Sequence, residues 1–255
     1  MTTAQNTAAH LDLSSKRLVI IDADVHTART AHALGCHTVF VQQPGSPVPD
    51  LVDDQSGYYS VNFTGERFPE FVEEVLSPLA PAAVVSLSSA GLRPAALANA
   101  QLGTPGTPPA VVDRLTEEVP GGQEPYGDEV ILHAFSTDGV HRLLAVTPRD
   151  PVATGSTASD MTAQLSGPWE HAAAALASFL DAAGLRNGPS RTRARLSGRT
   201  VRVLSSRLGF NRPEEVDPLR ALTGLDLTRW ALGWPLGLRE EHCGISARSL
   251  ETNTR

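Results

Sequence analysis

Apolar residues in the first hundred positions fall in short unbroken runs; in the second hundred they alternate with polar ones. RLVIIDAD at 17–24, HTVFV at 37–41 and AAVVSL at 82–87 are apolar runs that end in polar loops. Runs of this kind read as strands buried on both faces of a parallel sheet. Helical stretches separate them. One covers 27–34 and is capped by Gly35; one covers 69–76, with a proline in its first turn; an alanine-rich one covers 92–102 and is closed by Gly103. A short alternating stretch at 58–63 predicts one more strand. Strand and helix therefore take turns, which predicts a small parallel α/β layer.

The period changes to two further on. Segments 128–136 and 140–147 flank Asp138-Gly139, a strong hairpin signal, and 190–196 and 200–205 flank Ser197-Gly198 in the same way. Between the hairpins, 148–167 is rich in Pro, Thr, Ser and Gly and predicts a loop. Segment 168–183 predicts a helix with Ala173, Leu176, Leu180 and Ala183 on one face. Helices at 213–222 and 225–236 close the chain, and Trp169, Trp230 and Trp234 are expected to pack in helices. No internal repeat is present. The pattern predicts an α/β protein in two parts. A small parallel domain covers 16–107, and an antiparallel hairpin–helix–hairpin domain covers 108–237. The junction lies near 104–120, with a flexible tail at 1–15 and another at 238–255.

Composition narrows the class. A chain of 255 residues, 41% hydrophobic, can bury a sizeable core. A net charge of −7 argues against nucleic acid or an anionic membrane as partner. No apolar run approaches the roughly 20 residues that span a bilayer. The first 15 residues lack the basic start and apolar stretch of a secretory signal. Two isolated cysteines, Cys36 and Cys243, make neither a disulfide framework nor a zinc site, so a reduced, cytoplasmic protein is expected. One bias stands out: twenty arginines against a single lysine, Lys16.

Four segments, in order, resemble ATP-grasp carboxylate–amine ligases. SLSSAGLRPAALANAQLGTPGT (86–107) resembles the end of that family's first domain, where an alanine-rich helix leads into a Leu-Gly-x-Pro-Gly-Thr turn. EEVPGGQEPYGDEVILHAFSTDGVHRLLAVTPR (117–149) resembles the hinge glutamates, the following glycine and glutamate, and the next hairpin. AAGLRNGPSRTRARLSGRTVRVLSSRLG (182–209) resembles the metal-binding hairpin with its arginine, and GLDLTRWALG (224–233) the helix after it. The resemblance covers most of the chain and implies a pre-ATP-grasp-like α/β domain followed by a partial ATP-grasp α+β domain.

The departures from that pattern concern function. The family inserts a lobe with two phosphate-binding lysines and a glycine-rich lid between the Pro-Gly-Thr turn and the hinge glutamates. Here Thr107 and Glu117 are ten positions apart, so the lysine-bearing lobe is expected to be missing. The family's magnesium ligands are a glutamate on the first strand of the last hairpin and a Glu-x-Asn pair on the second. The matching residues are Arg193, Val203 and Ser205; only the following arginine, Arg207, is kept. Magnesium needs hard oxygen ligands, so neither a metal nor a nucleotide cofactor is expected.

Side chains alternate across a strand, so Arg191, Arg193 and Arg195 share a face. Ser205 and Arg207 join them if a three-residue turn centred on Gly198 joins the strands; a two-residue turn breaks the alignment. In the first case the old metal site is a cationic pocket for an anionic small molecule. The same arginines also fit a solvated strand face paired with nearby acids. Weaker candidates are Asp22, Asp24 and His26 after the first strand, the neighbours Cys36 and His37, and His133 with His141 across the Asp-Gly turn. Gly121-Gly122 reads as a turn left from the hinge. Two functions follow. One is an ATP-independent protein that binds or transforms an amino-acid-like or peptide-like anion in a specialised biosynthetic pathway. The other is a non-catalytic protein partner of an active enzyme of the same pathway, which requires a broad exposed apolar surface.

Overall fold

In a computed structural model the described residues are 12–48, 56–117, 127–149, 169–209, 213–240 and 243. The first sheet is parallel and built from β1 (Arg17–Ile21), β2 (His37–Gln42), β3 (Gly57–Ser60) and β4 (Ala83–Val85), in the order β3-β2-β1-β4. Central β1 is apolar on both sides, and Leu18 to Ile21 are all fully buried. Its alternation feeds two cores. Leu18 and Ile20 meet Ala28 and Ala31 of α1 (Val25–His32), while Val19 and Ile21 meet Phe63, Phe68, Leu76 and Ala98 on the other side. Burying a side chain of this size stabilises the fold by about 1.5–3 kcal/mol. Asp24 caps α1 by accepting from the Thr27 amide at 2.7 Å. α2 (Phe68–Phe71) runs into a π-helical turn (Val72–Leu76). α3 (Leu92–Leu102) ends at Gly103 with φ +67°, as expected of a glycine cap.

A helix not predicted from the sequence follows. α4 (Pro109–Thr116) places a proline at its first position and buries Val111, Val112 and Leu115. From α4 the chain reaches β5 (Asp128–Thr137) within a dozen residues, and no strand lies between them among the described residues. β5 turns at Asp138-Gly139, both at positive φ, into β6 (Val140–Pro148). Pro148 still belongs to β6; the rest of the predicted loop at 148–167, beyond Arg149, and the Gly121-Gly122 turn lie outside the described residues. After α5 (Glu170–Ala183) come β7 (Gly188–Ser197) and β8 (Thr200–Leu208), then α6 (Pro213–Thr223) and α7 (Leu227–Gly233). The second sheet is antiparallel, in the order β6-β5-β7-β8.

The two faces of the second sheet differ. Val130, Leu132, Ala134 and Ala194 pack on α4 and on Leu176, Leu180 and Ala183 of α5; Ala172, not Ala173, completes that helix face. At one end of the opposite face, Phe135 stacks on Trp230 of α7, with ring centroids 3.7 Å apart and planes 3° from parallel. Trp230 and Phe135 share a core with the first sheet, so α7 ties the two sheets together. Leu13, expected in the flexible tail at 1–15, is buried in that same core. No helix of the described residues is long and apolar enough to cross a membrane.

Candidate functional site

The remainder of that second face carries the arginines, and strand pairing sets them out in rows. Arg191 pairs with Arg207 on one side and His133 on the other; Arg193 pairs with Ser205 and Ile131; Arg195 pairs with Arg202 and Glu129. The expected alignment is present, but by a different route. The turn has two residues, since Ser197 pairs directly with Thr200. On its own that turn would have put Arg193 opposite Leu204. A bulge at Leu204 adds one residue to β8, so Ala194 faces Val203 while Arg193 faces Ser205. The bulge restores the common face of Arg191, Arg193, Ser205 and Arg207. It also places Arg202 on that face beside Arg195, whereas simple alternation from Arg207 would put Arg202 behind it.

A pocket of about 260 Å³ opens here, lined by Ile131, Arg149, Arg191, Arg193, Ser205 and Arg207. Arg195 is not in its wall. Two wall residues, Arg149 and Ile131, were not among the sequence candidates. A further residue absent from the sequence candidates, Glu129, lies beside the pocket with its side chain 15% exposed and gathers three guanidiniums. Its carboxylate lies 2.7 Å from Arg193 Nε, 3.0 Å from Arg149 and 3.4 Å from Arg195. The Arg193 contact is an ion pair at hydrogen-bond distance without hydrogen-bond direction, because neither atom has a hydrogen-bond partner. Glu129 thus partly meets the expectation of arginines paired with nearby acids. His133 stands beside Arg191 as its cross-strand partner, 4% exposed, and its Nε2 is 3.0 Å from Thr147 Oγ1. Burial, and then the Arg191 charge, push its pKa down to about 3, so it is neutral at pH 7.

Magnesium does not fit this wall. The positions that the resemblance assigns to metal ligands hold Arg193, Val203 and Ser205, and Val203 sits opposite Ala194 on the core side. Among the described residues, no group of three or more His, Cys, Asp or Glu side chains is placed to hold a metal ion.

The other candidates lie elsewhere in the fold. Asp24 is the α1 cap; Asp22, at φ +56°, accepts from Ser88 Oγ at 2.5 Å; His26 Nε2 lies 3.3 Å from Thr228 Oγ1. Cys36 is half-buried, and burial raises its thiol pKa, while His37 is exposed. His133 and His141 do not approach each other: His133 pairs with Ala145 and His141 with Ser136, on opposite faces. His141 instead links Ser136 Oγ (2.7 Å) to Asp181 (3.1 Å). Those are the residue types of a hydrolase triad, but Ser136 is fully buried, so the chain of bonds ties the hairpin to α5.

No protein-family model and no curated protein matches the chain. Solved structures do match. An L-amino acid ligase from Bacillus licheniformis superposes with a TM-score of 0.66 at 14% identity, over 90% of this chain and 76% of that one. Phosphoribosylglycinamide synthetase from Anaerococcus prevotii gives 0.66 at 12%, over 89% and 77%. Glycinamide-RNase-transformylase T from Mycobacterium tuberculosis gives 0.60 at 17%, over 88% and 80%. These are ATP-grasp enzymes, and the chain has their fold in shortened form. Its parallel and antiparallel sheets together are consistent with a partial ATP-grasp fold.

Proposed function

We propose that this protein uses the remnant ATP-grasp cleft to hold a small anionic metabolite and does not work as an ATP-dependent ligase. The observation that carries the reading is the pocket wall itself. Arginines from β7, from β8 and from the residue just after β6 converge with a serine where ligases of this fold, by the resemblance, keep acidic metal ligands. Guanidinium groups bind carboxylates and phosphates by planar, charge-assisted hydrogen bonds and repel a metal ion. The similarity to an L-amino acid ligase favours an amino-acid-like or peptide-like ligand, as in a specialised biosynthetic pathway. A role as a non-catalytic partner subunit has less support. The large hydrophobic side chains exposed among the described residues are Val25, Leu97 and Val140, on separate elements rather than in one patch.

A thermal-shift panel of carboxylates, phosphates and amino-acid conjugates tests the proposal. At least one anion should raise the melting temperature, and Arg193→Ala should weaken that anion by about tenfold or more. Arg202 does not serve as a control, because it shares the arginine face. Arg67, 91% exposed on the first domain, does. If no anion stabilises the protein, or if Arg67→Ala weakens binding as much as Arg193→Ala, the reading fails.

A further inference from the structure

The charge and shape of the pocket narrow the ligand class, on the assumption that the pocket binds an anion at all. Three of the four wall arginines, Arg149, Arg193 and Arg207, stand against one carboxylate among the described residues, Glu129. With Arg191 and Arg195 left out of the count, that leaves an excess of two positive charges among the described residues. Glu129 lies to one side, against Arg149, Arg193 and Arg195. Arg207 and the Ser205 hydroxyl, on the edge strand β8, border the same pocket from the other side. A single carboxylate brings one charge and two oxygens in a plane. A phosphate monoester brings close to two charges at pH 7 and three acceptor oxygens arranged as a tripod. Donors from Arg149, just after β6, and from β7 and β8 line the pocket, and several separate donors suit the tripod. Ile131 adds an apolar wall surface for a short carbon stem. At about 260 Å³ the space is smaller than the roughly 300–1,000 Å³ of sites for drug-sized ligands, so it takes a compact molecule.

We infer that the arginine pocket is a metal-free site for the phosphate group of a small phosphomonoester. Calorimetry at pH 7.5 with inorganic phosphate, methyl phosphate, acetate and succinate as probes tests this on the full chain. Phosphate and methyl phosphate should bind at least tenfold more tightly than acetate or succinate, with no change when a chelator is added. Arg207→Ala should weaken methyl phosphate about tenfold or more, and Arg207→Lys, which keeps the charge but loses the planar fork, should recover part of that loss. Circular dichroism melts of both variants establish that they are folded. Acetate or succinate binding as tightly as methyl phosphate overturns the phosphate assignment and leaves the anion pocket standing. Unchanged methyl phosphate affinity in Arg207→Ala also overturns it. If none of the probes binds, the assignment and the anion pocket fall together.

Discussion

Lowering the pH should destabilise this protein through His133. In the fold this imidazole is buried and its pKa is depressed to about 3, against 6.5 in an unfolded chain. A depressed histidine contributes stability that is fully present above pH 6.5 and is lost as the pH falls from there toward 3, because the unfolded state takes up the proton first. At pH 5 the unfolded histidine is almost wholly charged and the folded one is neutral. Linkage over that interval amounts to about 2 kcal/mol relative to pH 8, an order-of-magnitude value. Urea unfolding of the wild type and of His133→Gln at pH 8 and pH 5 measures it. The substitution keeps an amide near Thr147 but removes the titration, and its cost from imperfect packing appears at both pH values. The exposed carboxylates and the other histidines contribute equally to both proteins. The wild type should lose about 2 kcal/mol more than the variant between the two pH values. If the two proteins lose the same amount to within about 0.5 kcal/mol, His133 is not held neutral by the fold and the argument fails.

Other positions give sharper local tests. Gly209 has φ +84°, and a Cβ there would lie 2.5 Å from the Leu87 carbonyl oxygen, so Gly209→Ala should cost about 2 kcal/mol or more in denaturant melts. Leu13→Ala should cost about 2–5 kcal/mol, because that side chain is 4% exposed in the main core; a change near zero would return Leu13 to the tail. Asp24→Ala should cost about 1 kcal/mol by uncapping α1, and Asp24→Asn much less.

The sequence carried the architecture because period and capping are local signals. The apolar runs around Val19, Val39 and Val84, the Asp138-Gly139 turn and the Gly103 cap are each read from a few neighbouring residues. α4 is less legible, since Pro108-Pro109 reads as a break although a proline suits a first helical turn. The β8 bulge left a trace that alternation alone does not catch. The strand reads VRV and then, after Leu204, SSRL, so the apolar phase slips by one at the bulged residue. Glu129 and Arg149 are different. Nothing beside them in the chain marks them as part of a site. They reach the arginines only through the pairing of β5 with β6 and β7, and pairing partners are not written in local pattern. Arg195 looked equivalent to Arg191 and Arg193 by alternation, but its place nearer the turn sets it on Glu129 and outside the pocket wall.

The central claim, an ATP-grasp fold whose metal–nucleotide site has become an arginine pocket, is tested most directly by titrating ATP into the full chain by calorimetry, with and without magnesium. The account predicts that magnesium makes no difference and that binding is no tighter than millimolar, about −4 kcal/mol. Micromolar binding that appears only when magnesium is present would contradict it.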